Sequence, residues 1–147
     1  MADFSKFDEK MFEKAHEIAE TSDFDHFHLG CVLTYKHHIL AMASNSCKTH
    51  PIQKYYNRKY RHFRYGPKPC AHTLHAEIAA LSSISYPIGI QIDWKDVRAY
   101  IYRISPGKPS GHGMARPCPS CEQALRSAGV RHIYYTTDGG YAYEKLD

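Results

Sequence analysis

Two short clusters hold residues that could bind a metal and move protons: His75, Ala76 and Glu77, and later Pro117, Cys118, Pro119, Ser120 and Cys121. Together they offer one imidazole and two thiols. A catalytic zinc takes three protein ligands and keeps a fourth position for water, so His75, Cys118 and Cys121 make a sufficient set. Cysteines three apart in a first helical turn lie on one face, and the positive end of the helix helps hold both as thiolates. Glu77 stands two residues from the histidine, near enough to hydrogen-bond the metal's water and not needed as a ligand. That is the place of a proton shuttle. Zinc lowers the pKa of its water toward ~7. The resulting nucleophile can attack an amidine carbon while Glu77 protonates a ring nitrogen and then the leaving amine.

The bland alternative is a structural zinc knuckle or simply buried polar residues, and a lone C-x-x-C would leave it standing. Here the cysteine pair is matched with H-x-E, each at a predicted helix start, and no fourth protein ligand is offered beside them to close a structural site. Cys47, His50, Cys70 and His72 have workable spacing for a second, structural zinc, with unpaired thiols and solvent-facing imidazoles as the alternative. Cys31, inside a predicted strand, reads as a small buried apolar residue.

The elements that must position these groups follow from periodicity. Phe7, Met11, Phe12, Ala15, Ile18 and Ala19 recur at helical spacing, so a helix is predicted from about Lys6 to Glu20, lying on a sheet. Gly30 to Tyr35 and Ile39 to Ser44 read as two strands joined by a turn at Lys36, His37 and His38. Ser46 to Leu74 has no sustained period and is broken by Pro51, Pro67 and Pro69. It reads as a long loop with a short helix around Ile52 to Tyr60. A helix opens at the His75 triplet, Val97 to Ile104 is a buried strand, and Ser105 to Arg116 is a glycine-rich loop. Pro117 to Pro119 start another helix, Gly129 closes it, and Val130 to Thr136 is a last strand before a turn at Asp138, Gly139 and Gly140 and a short tail. Trp94 reads as a loop anchor.

A chain of 147 residues, 43% of them hydrophobic, suits one compact domain. No apolar run is long enough to cross a bilayer, and the acidic start differs from a secretory leader. Five cysteines without framework spacing argue against a disulfide scaffold. A soluble, cytoplasmic protein is expected. The net charge of +4 is unevenly placed. Lys48, Lys54, Arg58, Lys59, Arg61, Arg64 and Lys68 fall between Ser46 and Leu74 with no acid among them, leaving 12 basic residues against 15 acidic ones elsewhere. Tyr55, Tyr56, Tyr60, Phe63 and Tyr65 interleave with them. This points to a phosphate-bearing substrate, with Arg58, Arg61 and Arg64 as candidate contacts, rather than to a merely solvated surface.

HAE followed by PCxxC resembles the zinc-binding motif of the cytidine and deoxycytidylate deaminase superfamily, and the likeness extends over most of the chain. It implies a three-layer α/β/α sandwich with a mixed central sheet whose last two strands are parallel, as in the deoxycytidylate and tRNA adenosine deaminase branch. It also implies a single deaminase domain over residues 1–147, carrying a basic aromatic insertion at 46–74 and the glycine-rich loop at 105–116. An Asn placed like Asn45 contacts the sugar of the target nucleoside in relatives, so Asn45, and Ala76 between ligand and shuttle, join the substrate-binding candidates. A zinc cofactor and a homo-oligomer are implied. The expected function is deamination of a cytosine nucleotide such as deoxycytidylate. The alternatives are a cytosine or adenine deaminase acting on single-stranded DNA, RNA or tRNA, and a non-catalytic nucleic-acid-binding protein, against which the intact Glu77 argues.

Overall fold

The structure, a computed structural model, describes residues 4–60 and 73–147. Chain order runs α1 (Lys6–Ala19), β1 (His28–Tyr35), β2 (His38–Ser44), α2 (Pro51–Tyr60), α3 (Ala76–Ser83), α4 (Tyr86–Gly89), a 3-10 turn (Trp94–Asp96), β3 (Val97–Ile104), β4 (His112–Gly113), α5 (Pro119–Ala128), β5 (His132–Thr136) and β6 (Tyr141–Lys145). The sheet order is β2-β1-β3-β5-β6, with β4 paired to β3. Among the described strands, β3 and β5 run parallel and the other pairs are antiparallel. The parallel pair expected of 97–104 and 130–136 is present, and the mixed α/β architecture holds.

Helix α1 starts with a capping box in which Ser5 and Asp8 satisfy each other's backbone N–H groups. Its apolar stripe, Met11, Phe12 and Ala15, covers one face of the sheet at Val32, Tyr100, Tyr102 and Tyr134. The opposite face, through Cys31, Leu33, Ala99, Ile101 and Ile133, packs under Ala76, Ala80 and Leu125 of α3 and α5. Cys31 is fully buried there, as its strand position predicted. The β1–β2 turn is tighter than expected. Lys36 and His37 alone form it, both at positive φ, which a two-residue hairpin twisting with its strands requires. Trp94 donates its indole N–H to the Gly89 carbonyl at 2.8 Å and so ties down the loop between α4 and β3.

Two expectations need correction. The short tail after Gly140 is a strand, because Tyr141, Ala142, Tyr143 and Glu144 alternate with period two and pair antiparallel with β5. Tyr141 then rests on Phe12, and Tyr143 on Tyr134, which extends the aromatic face. The loop 105–116 is not irregular throughout: His112 and Gly113 form β4 against Ile104 and Arg103.

Gly30 sets the spacing of α1 over the sheet. A Cβ at Gly30 would lie 2.2 Å from the Ala15 carbonyl oxygen and 2.7 Å from the Ala19 nitrogen, both backbone atoms that cannot rotate away. Gly30→Ala is therefore expected to destabilise the fold by at least about 1–3 kcal/mol, the ordinary cost of overpacking. Urea unfolding measures it, and an unchanged midpoint would disprove the close approach.

Candidate metal centre and active site

Helices α3 and α5 begin at the two chemical clusters. His75 is the N-cap of α3 and Cys118 the N-cap of α5, both with extended backbone. The imidazole and the thiol thus stand at two helix starts that meet. His75 Nδ1 lies 3.2 Å from Cys121 Sγ and 3.6 Å from Cys118 Sγ. The three ligand atoms all fall within 4.8 Å of one another. A tetrahedral zinc with ordinary bond lengths holds nitrogen and sulfur about 3.6 Å apart, so the trio fits that ion. Among the described residues, no other group of His, Cys, Asp or Glu comes together in this way.

The electrostatics suit a cation. Hydrogen bonding from Cys121 holds Cys118 down to about 3 against the cost of burial, with His75 assisting. Burial pushes Cys121 up in the absence of a metal. The positive ends of two helices add to the preference for thiolates. Glu77, in the first turn of α3, is buried. Burial lifts its carboxyl above the usual carboxylate range, opposed by the neighbouring His75. A carboxyl poised upward is suited to giving as well as taking a proton.

Two supports were missed in the sequence. The backbone N–H of His75 donates to Gln53 Oε1 at 3.0 Å, and Gln53 Nε2 donates to Asn57 Oδ1 at 2.9 Å. Both side chains are fully buried on α2, so the insertion helix is fastened to a candidate metal ligand. Their i, i+4 spacing was the available signal. On the other side, Arg116 forks onto Glu144 of β6 at 2.8 and 3.1 Å and reaches Glu122 at 2.7 Å. That clamp brackets the Cys118–Cys121 turn, and Tyr135 donates its hydroxyl proton to the same Glu144.

The substrate candidates are placed unevenly. Asn45 is buried at the end of β2. Its Oδ1 accepts from Leu29 N at 2.9 Å and Ser22 Oγ at 2.6 Å, and its Nδ2 donates to the Phe27 carbonyl at 3.0 Å. One amide hydrogen is left for a ligand. Ala76, the first residue of α3, is fully buried against the core. Arg58 stands on the outward side of α2, in an open groove of ≈470 Å³ with Pro51, Lys54, Tyr55 and Lys59. Arg61 and Arg64 lie outside the described residues. So do Cys70 and His72 of the possible second zinc site. Of its other members, Cys47 is exposed and His50 Nδ1 accepts from the Ile52 N–H at 3.2 Å. No helix among the described residues is long and apolar enough to cross a membrane.

No curated protein matches the chain in sequence. Among solved structures it is similar to the dCMP deaminase of cyanophage S-TIM5 in its apo form, at 18% identity over 92% of this chain and 86% of that one, with a TM-score of 0.56. The same cyanophage enzyme in complex with dCMP and dUMP is similar over 91% of this chain and 83% of that one, at 18% identity and a TM-score of 0.54. A cytidine deaminase from Burkholderia pseudomallei aligns at 14% identity over 97% of this chain and 93% of that one, with a TM-score of 0.61. At such identities these likenesses establish the fold. The family model for the cytidine and deoxycytidylate deaminase zinc-binding region matches residues 5–137. That span runs from the cap of α1 past the end of β5 and contains His75, Glu77, Cys118 and Cys121, so the chain belongs to the cytidine and deoxycytidylate deaminase zinc-binding family.

Proposed function

We propose that the protein hydrolyses the exocyclic amine of a cytosine nucleotide, releasing ammonia and leaving a keto group. The observation that carries this reading is the convergence of His75, Cys118 and Cys121 beside the buried carboxyl of Glu77. The three residues would hold zinc, which supplies the activation of water that hydrolysis at neutral pH needs. Glu77 takes one proton from the attacking water and places it on the ring nitrogen, then takes the second from the hydroxyl now on the ring carbon and gives it to the amine, so that the C–N bond breaks and ammonia leaves as the carbonyl forms. Gln53 and the Arg116 clamp keep the two helix starts in register while this happens. Asn45, with its remaining amide hydrogen, is suited to a sugar hydroxyl. The cyanophage neighbour's complex with dCMP and dUMP supports a nucleotide as the substrate class. Mass spectrometry of products over nucleosides, nucleotides and short oligonucleotides tests the proposal; no amine-to-oxygen exchange on any cytosine compound would reject it.

A strand rather than a single nucleotide is the second reading, favoured by the exposed Tyr55 among Lys54, Arg58 and Lys59 on α2. If the cations of the insertion hold phosphate, replacing Arg58, Arg61 and Arg64 together by Gln raises KM far more than it lowers kcat, because binding common to ground and transition states is removed. Salt separates the two readings. A mononucleotide shows a shallow dependence, whereas a strand held at several phosphates loses affinity with a log-log slope of roughly −0.7 per contact. Unchanged kinetics and salt response in the triple variant would reduce the insertion to a solvated surface.

A further inference from the structure

Among the half-buried arginines, Arg98 has Asp8, Arg126 has Glu122, and Arg131 donates to the carbonyls of Arg126 and Val130. Arg103 differs. Its guanidinium makes no ion pair and no hydrogen bond with any described residue; it lies over the Phe27 ring, 5.1 Å from the centroid. Partly removing a charge from water is costly unless something compensates, and a π face compensates only in part. Among the described residues, nothing takes up its five N–H donors.

The register places this cation beside the active site. On β3, Ile101 pairs with Cys31 of β1, and both pack in one cluster with Ala76, the residue between His75 and Glu77. Side chains alternate along a strand, so Arg103 shares the face of Ile101, one repeat or roughly 6.8 Å further toward the strand's C-terminal end. There it pairs with Leu29 on one side and Gly113 on the other. Phe27, on which the guanidinium rests, is held by Asn45 Nδ2 at its carbonyl. Asn45, Phe27 and Arg103 therefore form one connected rim at the end of the sheet where the metal-binding helices begin.

We propose that Arg103, stacked on Phe27, is the residue that binds the anionic group of the substrate, a phosphate monoester, and so selects nucleotide over nucleoside. This rests on the deaminase reading of the His75 and Glu77 site. The outward cations of α2 would then attract the substrate, while Arg103 holds it. The test is equilibrium binding of CMP and cytidine to the zinc-loaded Glu77→Ala chain, which does not consume them, and of inorganic phosphate to the unaltered chain, each with and without Arg103→Gln. The CMP-over-cytidine affinity ratio is expected to fall about 10- to 100-fold, as for loss of a charge-assisted pair, and phosphate binding is expected to fall with it. Arg103→Lys keeps the charge and loses the planar fork, so it should restore only part of the ratio. An unchanged ratio in Arg103→Gln, or a ratio lost only when Lys54, Arg58 and Lys59 are replaced, overturns the proposal. Cytidine turnover without preference for CMP also overturns it and leaves the deaminase reading standing. Phosphate binding that depends on Arg103, in a chain that deaminates no cytosine compound, would uphold the anion site and reject the deaminase reading instead.

Discussion

Glu77→Ala is expected to keep its zinc and its fold while losing nearly all turnover. The carboxyl is no member of the three-ligand set, so its removal takes nothing from the metal's affinity directly. It is also a buried acid whose desolvation already opposes ionisation, and alanine in the first turn of α3 removes that cost and carries the best helix propensity. Stability should therefore hold or rise. Catalysis should not survive if, as proposed, every proton in the reaction passes through this one position, since a general acid–base contributes about 10²–10⁴-fold to rate. Zinc content, thermal unfolding and steady-state kinetics measured on one preparation separate these effects. Turnover within tenfold of the parent would show that another group moves the protons.

The second large effect concerns the thiols. The parent is expected to hold about one zinc per chain, and Cys118→Ala or Cys121→Ala to hold almost none. Losing an outer-shell partner costs about 10–100-fold in metal affinity, and losing one of three ligands from an open site should cost more. Elemental analysis after dialysis against a chelator reads this directly. Circular dichroism guards against misreading an unfolded variant as a metal-free one, since Cys121 is fully buried against Ile78 and Ala124. Two zinc ions in the parent, falling to one in either variant, would place a second ion at Cys47, His50, Cys70 and His72. Full zinc retention in both variants would overturn the ligand assignment.

Most of the element pattern was legible in the chain because it is written locally. The amphipathic repeat of α1, the apolar run of β3 and the Pro119 and Gly129 punctuation of α5 each depend on neighbours a few residues away. Strand β6 escaped notice because its two tyrosines stay exposed while its better-covered face carries Ala142 and a glutamate, which reads as a polar tail until β5 lies beside it. The role of Gly30 was equally hidden, since nothing in the strand's own pattern reports how near α1 approaches.

By itself the sequence determined the chemistry: ligand types, the spacing of H-x-E and C-x-x-C, and their places at helix starts are properties of short segments. The tertiary structure alone decided which groups are spent and which are free. Arg98 finds Asp8 on α1, Arg116 finds Glu144 on the strand that looked like a tail, and Gln53 reaches His75 from within the insertion. Arg103, among the described residues, finds a ring. Seen in sequence these are interchangeable polar residues. Their difference comes from register and packing between segments far apart in the chain, where a shift of one residue turns a side chain to the opposite face, and no local pattern encodes that choice.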